Sequence, residues 1–289
     1  EARKQKIQTP SIIVVGEVCR LSEQFSWYEK LPLSGERILV TRPIERGFKL
    51  QESLRALGAE TLSVPVIRTV PVDDGERVLE IKREMERLSE YQVLVFTSPY
   101  GVERFFDLLS EAGMDVRRVS HMKFAVIGQG TADTLKGKGI RADYMPGKYD
   151  GSSLGRLLAG KLEDGTKILL ARSSIGGTEI FKELEKNPAL VYKDLAVYDT
   201  KFLTEQETRL RSFMEEGGVT KVIFTSSSAV EGFVRLLGRF DYHSVQAVCI
   251  GNKTAKTAKG AGMQTVTADN ATVEDIVACM LRNGERGDR

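Results

Sequence analysis

The chain has 289 residues, enough for two domains, and its 41% hydrophobic and 28% charged residues are ordinary for a globular protein. The net charge of +2 gives no argument for nucleic acid, and no apolar run approaches the roughly 20 residues of a membrane span. Three cysteines without CxxC spacing favour free thiols, and two histidines cannot supply a histidine-rich metal site. No signal peptide is recognisable, so we expect a cytoplasmic protein.

Residues 1–36 differ from the rest of the chain. Residues 9–18 are strongly β-prone and predict a strand, and Pro32 and Gly35 indicate a linker. A lone strand cannot satisfy its own edges. We therefore interpret this segment as the tail of a preceding domain plus a linker, and we expect residues 1–33 to be separable from the remainder of the protein.

From residue 37 the pattern alternates between strands and helices. A helix carrying Leu50, Leu54 and Leu57 is predicted to end at Gly58, a favourable C-cap. Prolines 65 and 71 indicate an edge or crossing segment, because proline cannot donate to a β-ladder. The other elements predicted in this part are strands at 37–41 and 61–67 and a charged helix at 76–88.

Two short apolar strands end in the same tripeptide, Phe-Thr-Ser, and an amphipathic helix pattern follows each. Two further blocks recur in the same order, so we infer an internal duplication of about 125 residues, the length of one domain. The matched blocks are 96–98 with 224–226, 127–132 with 250–255, and 37–42 with 167–172.

Strands that alternate with helices predict parallel sheets covered on both faces. The fold class is therefore α/β, with two similar doubly wound parallel-sheet domains. Open sheets of this kind bind ligands at the carboxyl ends of their strands, so we expect the site between the facing strand ends. Spacing alone suggests a division near residue 162.

The hydroxyls after the two strands sit where an N-cap belongs, and Pro99 suits the first helical position. They are either caps alone or, with backbone N–H groups, part of an anion site. A dinucleotide site is disfavoured because residue 133 is aspartate and no P-loop exists. A Ser-His-Asp set is disfavoured because the two histidines lie far from these turns in the sequence. With Arg42, Arg172 and Lys253 nearby, such a cleft suits a polyanion with many carboxylates rather than metal chemistry.

Together these segments resemble the uroporphyrinogen-III synthase family. The resemblance rests on the Ile-Leu-Val-Thr-Arg-Pro opening at 38–43, the paired Phe-Thr-Ser turns, the paired Ile-Gly-x-x-Thr-Ala turns and Leu-Ala-Val-Tyr-Asp-Thr at 195–200. It covers residues 37 to about 282. Residues 9–31 separately resemble the last strand and tail of uroporphyrinogen-III C-methyltransferase, so the chain looks like the synthase half of a fusion.

The resemblance implies an enzyme, a carbon–oxygen lyase, that closes hydroxymethylbilane to uroporphyrinogen III with loss of water and inversion of the last pyrrole. The substrate is a linear tetrapyrrole with eight carboxylates on the route to haem, sirohaem and cobalamin. No cofactor or metal is implied. The partners expected are hydroxymethylbilane synthase upstream and a fused methyltransferase, with no nucleic acid and no membrane, and the protein is expected to be a monomer.

The resemblance also implies interlaced domains joined by a two-stranded connector, one of residues 37–68 plus 200–289 and the other of residues 72–196. It places a functional tyrosine at Tyr198, which can donate a proton as water leaves because a phenol is protonated at neutral pH. The alternatives are that Tyr198 only packs, that the chain is an anion-binding or sensor module without catalysis, or that it is an inactive remnant. The candidate substrate-binding residues are Arg42, Thr97, Ser98, Thr131, Thr225, Ser226, Ser227, Lys253 and Thr254.

Overall fold

The computed structural model describes residue 12 and residues 14–42, 44–215, 218–270 and 272–284. The strands in this part of the chain are β1 (Arg37–Val40), β2 (Glu60–Ser63), β3 (Ile67–Pro71), β4 (Val93–Phe96), β5 (Lys123–Val126), β6 (Lys167–Ser173), β7 (Val191–Phe202), β8 (Lys221–Phe224), β9 (Gln246–Cys249) and β10 (Gln264–Thr267).

The helices are mostly amphipathic and cover the two faces of the sheets. They are α1 (Ser22–Phe25), α2 (Ile44–Ala56), α3 (Gly75–Glu86), α4 (Pro99–Glu111), α5 (Gln129–Gly137), α6 (Gly151–Lys161), α7 (Glu179–Leu184), α8 (Glu207–Glu215), α9 (Ser227–Leu237), α10 (Asn252–Gly260) and α11 (Val273–Gly284). The predicted end of α2 is confirmed, since Gly58 follows it with φ of 95°.

The strands form two five-stranded sheets. The first has the order β10-β9-β8-β1-β2, and all its neighbouring strands are parallel. The second has the order β3-β7-β6-β4-β5, and it is parallel except that β3 runs antiparallel to β7. The predicted α/β fold with two mostly parallel sheets is confirmed.

The duplication seen in the sequence reappears in the strand order. In the first sheet β8 lies between β9 and β1, and in the second sheet β4 lies between β5 and β6. The matched sequence blocks correspond to these strands pair by pair. Each sheet, however, takes its strands from both halves of the chain. Strand β1 of the first repeat lies beside β8 of the second repeat, and β6 of the second repeat lies beside β4 of the first.

The chain crosses between the sheets at two adjacent places. The predicted single strand at 61–67 is wrong, because β2 ends at Ser63 and the chain then leaves for the second sheet as β3. Strand β7 returns alongside it, with Ile67 opposite Phe202. Helix α9 packs closely on this crossing, since a side chain at Gly232 would come within 3.0 Å of the carbonyl oxygen of Val66.

The N-terminal segment has two parts. Among the described residues of the strand predicted at 9–18 none is in a strand, and Glu17–Leu21 forms a 3-10 helix instead. Farther along, the Tyr28 hydroxyl donates to the carbonyl oxygen of Gly58 at 3.1 Å, and the Leu33 N–H donates to that of Leu57 at 2.8 Å. The expected boundary at residue 33 is therefore wrong, because Leu33 belongs to the core of the first sheet.

The helices in the described part of the chain are too short or too polar to cross a lipid bilayer.

We predict that Leu33→Ala lowers the free energy of unfolding by about 2 to 4 kcal/mol, because it leaves a cavity in a closed core. Leu33 is 1% exposed and packs with residues of β1, α2 and α11. The matched control is Leu21→Ala, since Leu21 is 42% exposed. Urea unfolding measures both variants, and equal midpoints would show that residues 28–34 do not belong to the folded core.

Candidate functional site

The two Phe-Thr-Ser turns begin helices in the same way. Ser98 caps α4, its side-chain oxygen accepting from the backbone N–H of Gly101 at 3.0 Å. Ser226 caps α9, accepting from the N–H of Ala229 at 3.1 Å. Both serines have nearly the same extended backbone, and Pro99 occupies the first turn of α4 as predicted. Ser98 and Ser226 are therefore N-caps as predicted, and each turn lies at the carboxyl end of a buried parallel strand.

The two Ile-Gly turns are a second matched pair. Gly128 and Gly251 precede α5 and α10 with extended backbones and no side-chain cap. The threonines that follow, Thr131 and Thr254, are only 3% and 4% exposed. This burial favours packing over direct contact with a ligand. The N–H groups that begin a helix lack partners within it, so those at the starts of α5 and α10 are candidate donors to an anion.

Tyr198 and Ser98 are brought together although 100 residues separate them. The phenol oxygen of Tyr198 lies 2.9 Å from Oγ of Ser98, and either can donate. The Tyr100 ring meets the Tyr198 ring edge to face, with centroids 4.8 Å apart. Tyr198 is 6% exposed, so its orientation is fixed by packing. The phenol therefore lies at the N-terminus of α4, on the carboxyl edge of the second sheet.

The residue after Tyr198 ties this strand to helix α3. The Arg77 guanidinium donates two hydrogen bonds to Asp199, at 2.8 and 3.1 Å. This paired hydrogen bond holds the pKa of Asp199 below its usual value, although partial burial opposes the effect. Ser173 and Thr200 also share a hydrogen bond of 3.0 Å. The crossing strand is thus restrained by side-chain bonds at the two residues that follow the tyrosine.

The three cations expected in the cleft have different surroundings. Arg172 is 5% exposed, and its side chain is committed to Asp194, at 2.6 and 2.7 Å, and to the carbonyl oxygen of Gly177 at 2.7 Å. Arg42 lies two residues beyond the end of β1 and is half-buried. The exposed cation is Lys253, in the first turn of α10, whose ammonium lies 2.9 Å from Oε2 of Glu179.

The remaining hydroxyl candidates lie on the same edges. Thr97 and Thr225 follow their strands and are half-buried, as is Ser227 in the first turn of α9. The Oγ atom of Ser227 is buried and makes no hydrogen bond to the described part of the chain. A donor or acceptor brought to this turn would satisfy it.

Sequence reasoning missed two residues at these edges. Tyr149 packs its ring against Gly128, where a side chain would overlap it. Glu179 begins α7 and meets Lys253 from the other sheet. Neither has a local sequence signal, because each is defined by a partner distant in the chain. A cavity of about 370 Å³ lies elsewhere, between α3 and α4, and none of the predicted site residues lines it.

These features define a class of protein. It is a two-sheet α/β protein whose hydroxyl-capped helix N-termini collect at the carboxyl edges of both sheets, with a buried tyrosine where the chain crosses. Sites of this geometry bind anions through backbone N–H groups.

Comparison with known proteins identifies the family. A family model described as uroporphyrinogen-III synthase HemD matches residues 49–278, and the chain belongs to this family. The porphyrin biosynthesis protein HemD of Ruminiclostridium josui is 35% identical over 284 residues, 98% of this chain and 56% of that protein. The chain therefore spans little more than half the length of that relative.

A second relative and a solved structure extend the comparison. The uroporphyrinogen-III C-methyltransferase of Bacillus subtilis is 28% identical over 120 residues, 42% of this chain and 23% of that protein. A mutant uroporphyrinogen III synthase from Thermus thermophilus superposes with a TM-score of 0.62 at 18% identity, covering 87% of this chain and 98% of that one. The family and fold predicted from the sequence are confirmed.

The duplicated caps allow a matched test of the bond between Ser98 and Tyr198. We expect Ser226→Ala to cost about 1 kcal/mol of stability, because it removes a helix cap and a local hydroxyl bond of 3.0 Å to Ser228 in the same turn. Ser98→Ala removes the equivalent cap and also the tyrosine bond, so we expect about 1 kcal/mol more. Chemical denaturation of both variants gives the difference. Equal losses would mean that the bond to Tyr198 contributes no more than the local bond between Ser226 and Ser228.

Proposed function

We propose that this chain closes hydroxymethylbilane to uroporphyrinogen III, with loss of water and inversion of the last pyrrole ring. The observation that carries the proposal is the pair of equivalent hydroxyl-capped helix N-termini on the two sheets, with Tyr198 bonded to one of them. Membership of the uroporphyrinogen-III synthase family supports it.

The proposed task of the fold is to hold a reactive polyanion in a bent conformation. Helices α4 and α9, of 13 and 11 residues, begin at the carboxyl ends of their strands, so the positive ends of their dipoles lie at the edges of the two sheets. Carboxylates bound at both edges would bring the two ends of the linear tetrapyrrole together. Positioning of this kind replaces a bimolecular search by an intramolecular closure. The binding residues proposed for it are Arg42, Thr97, Ser98, Thr225, Ser226, Ser227 and Lys253, with Thr131 and Thr254 behind them.

Tyr198 is the proposed acid. Oγ of Ser98 already accepts from the Gly101 N–H, so its own proton can point to the phenol oxygen, and the phenol proton is then directed to the substrate. As the carbon–oxygen bond of the hydroxymethyl group breaks, this proton goes to the departing oxygen and water leaves. The resulting phenolate keeps the hydrogen bond from Ser98 and lies beside the positive end of α4. No cofactor takes part in the proposed reaction.

We propose two interlaced domains, one of residues 37–68 plus 200–289 and the other of residues 72–196, in line with the composition of the two sheets. We propose that the natural protein is a cytoplasmic monomer that receives its substrate from hydroxymethylbilane synthase.

We also propose that a methyltransferase domain adjoins the N-terminal segment in the natural protein. The greater length of the Ruminiclostridium josui relative and the partial match to a C-methyltransferase support this. Several apolar side chains of the segment are exposed and would suit an interface with such a domain. They include Val14, Val15, Val18, Phe25 and Trp27, which are 56% to 86% exposed.

The function is tested by the isomer that the protein forms. Hydroxymethylbilane is supplied, and the product is oxidised and resolved into the type I and type III isomers. We expect type III. This isomer identifies the enzymatic reaction, because the spontaneous reaction closes the ring without inversion and gives type I. Formation of type I alone would contradict the proposal and favour an anion-binding module without catalysis.

Tyr198→Phe tests the acid while keeping the ring. We expect type III formation to fall by about 100-fold with stability retained, in line with the loss of general acid catalysis. Tyr192→Phe is the control, because Tyr192 lies on the same strand and its hydroxyl bonds Glu185 at 2.8 Å. Its activity should not change. Full activity of the Tyr198 variant would remove the phenol from the mechanism and leave positioning alone.

A further inference from the structure

One ion pair links the carboxyl edges of the two sheets. Lys253 lies in the first turn of α10, which follows β9 of the first sheet, and Glu179 begins α7, beyond β6 of the second. Their charged atoms are 2.9 Å apart, and the side chains are 51% and 43% exposed. The pair therefore bridges the two edges at the protein surface, and its half-exposed ammonium is accessible to a ligand.

The loop before α7 is shaped to admit this pair. A side chain at Gly177 would overlap both the ammonium of Lys253 and the carboxylate of Glu179. The carbonyl oxygen of Gly177 is held by buried Arg172, which is anchored on Asp194. The loop is thus restrained from beneath, and the absence of a side chain at residue 177 leaves room for the two charges to meet.

The pair is well formed but easily replaced. Burial pushes the pKa of Glu179 upward, yet the hydrogen bond from Lys253 and a bond to its own backbone outweigh this and lower it. Glu179 is therefore ionised at neutral pH and neutralises Lys253. Half-exposed ion pairs contribute little to stability because water competes for both partners. A second carboxylate can take the place of Glu179 at small cost.

We propose that Glu179 holds the place of a substrate carboxylate. Before a ligand binds, Glu179 pairs with Lys253. When an acidic tetrapyrrole enters, one of its carboxylates pairs with Lys253 instead, and Glu179 turns to solvent. Lys253 then forms a carboxylate subsite on the first sheet, and Glu179 on the second sheet sets how tightly that subsite binds. This inference rests on the proposed function for the identity of the ligand.

The test measures binding of uroporphyrin III, a stable octacarboxylate, by quenching of its fluorescence. Glu179→Gln removes the competing charge and keeps the shape, so we expect its dissociation constant to fall by about 3-fold to 5-fold. Lys253→Gln should weaken binding by a similar factor. In the double variant, Glu179→Gln should not tighten binding relative to Lys253→Gln alone, because its effect depends on the lysine. The KM for hydroxymethylbilane should fall in Glu179→Gln while kcat is retained.

The matched control is Glu60→Gln. Glu60 pairs with Arg37 at 2.7 Å and is 54% exposed, but it lies at the amino end of β2, the opposite edge of the first sheet. Its substitution makes the same change in net charge and should leave binding unchanged. An equal gain in this control, weaker or unaltered binding in Glu179→Gln, a gain that survives in the double variant, or no binding of uroporphyrin III would each overturn the proposal. Type III formation by the unmodified protein would still support the proposed function in all of these cases.

Discussion

The structure depends on the two adjacent crossings of the chain between its sheets. The chain passes from β2 to β3 and returns along β7, and the two crossing strands pair antiparallel. Strand β7 is continuous, so its first part completes the parallel sheet and its last part forms the connector. Tyr198 lies where these roles meet and is paired with both Ser173 of β6 and Pro71 of β3. The backbone of Tyr198 is therefore fixed by strand pairing on both sides, and this fixes where its side chain begins.

Burial decides which charges can serve a ligand. Arg172 and Lys253 look alike as isolated cations after strands, but one is enclosed with Asp194 and stacked over Phe181 at 4.7 Å, while the other reaches into solvent from a helix. A guanidinium with two carboxylate bonds and a carbonyl bond has little left to offer an anion. A single exposed ammonium can exchange its partner. The electrostatics of the candidate site therefore rest on fewer groups than the number of basic residues suggests.

Much of the local structure follows from residue pattern alone. The cap at Ser98, the first-turn proline, the end of α2 and the charged helix α3 all depend on neighbours within a few residues, and these predictions hold. The predictions that fail concern segments whose state is set at a distance. Residues 61–67 are β-prone throughout, yet the chain leaves the first sheet after Ser63 and enters the second at Ile67.

The sequence by itself determined the family, the α/β class, the duplication and the hydroxyl turns that begin α4 and α9, because each is written in residues close together or in blocks that recur in order. Only the tertiary structure decided that Leu33 joins the core and that Glu179 faces Lys253, and residue spacing alone did not predict that each sheet takes strands from both halves of the chain. Each of these depends on contacts between distant segments, whose geometry is set by how the sheets pack and where the chain crosses. No local pattern records such a distance, so the partner of Tyr198 and the place of Glu179 emerge only once the chain is folded.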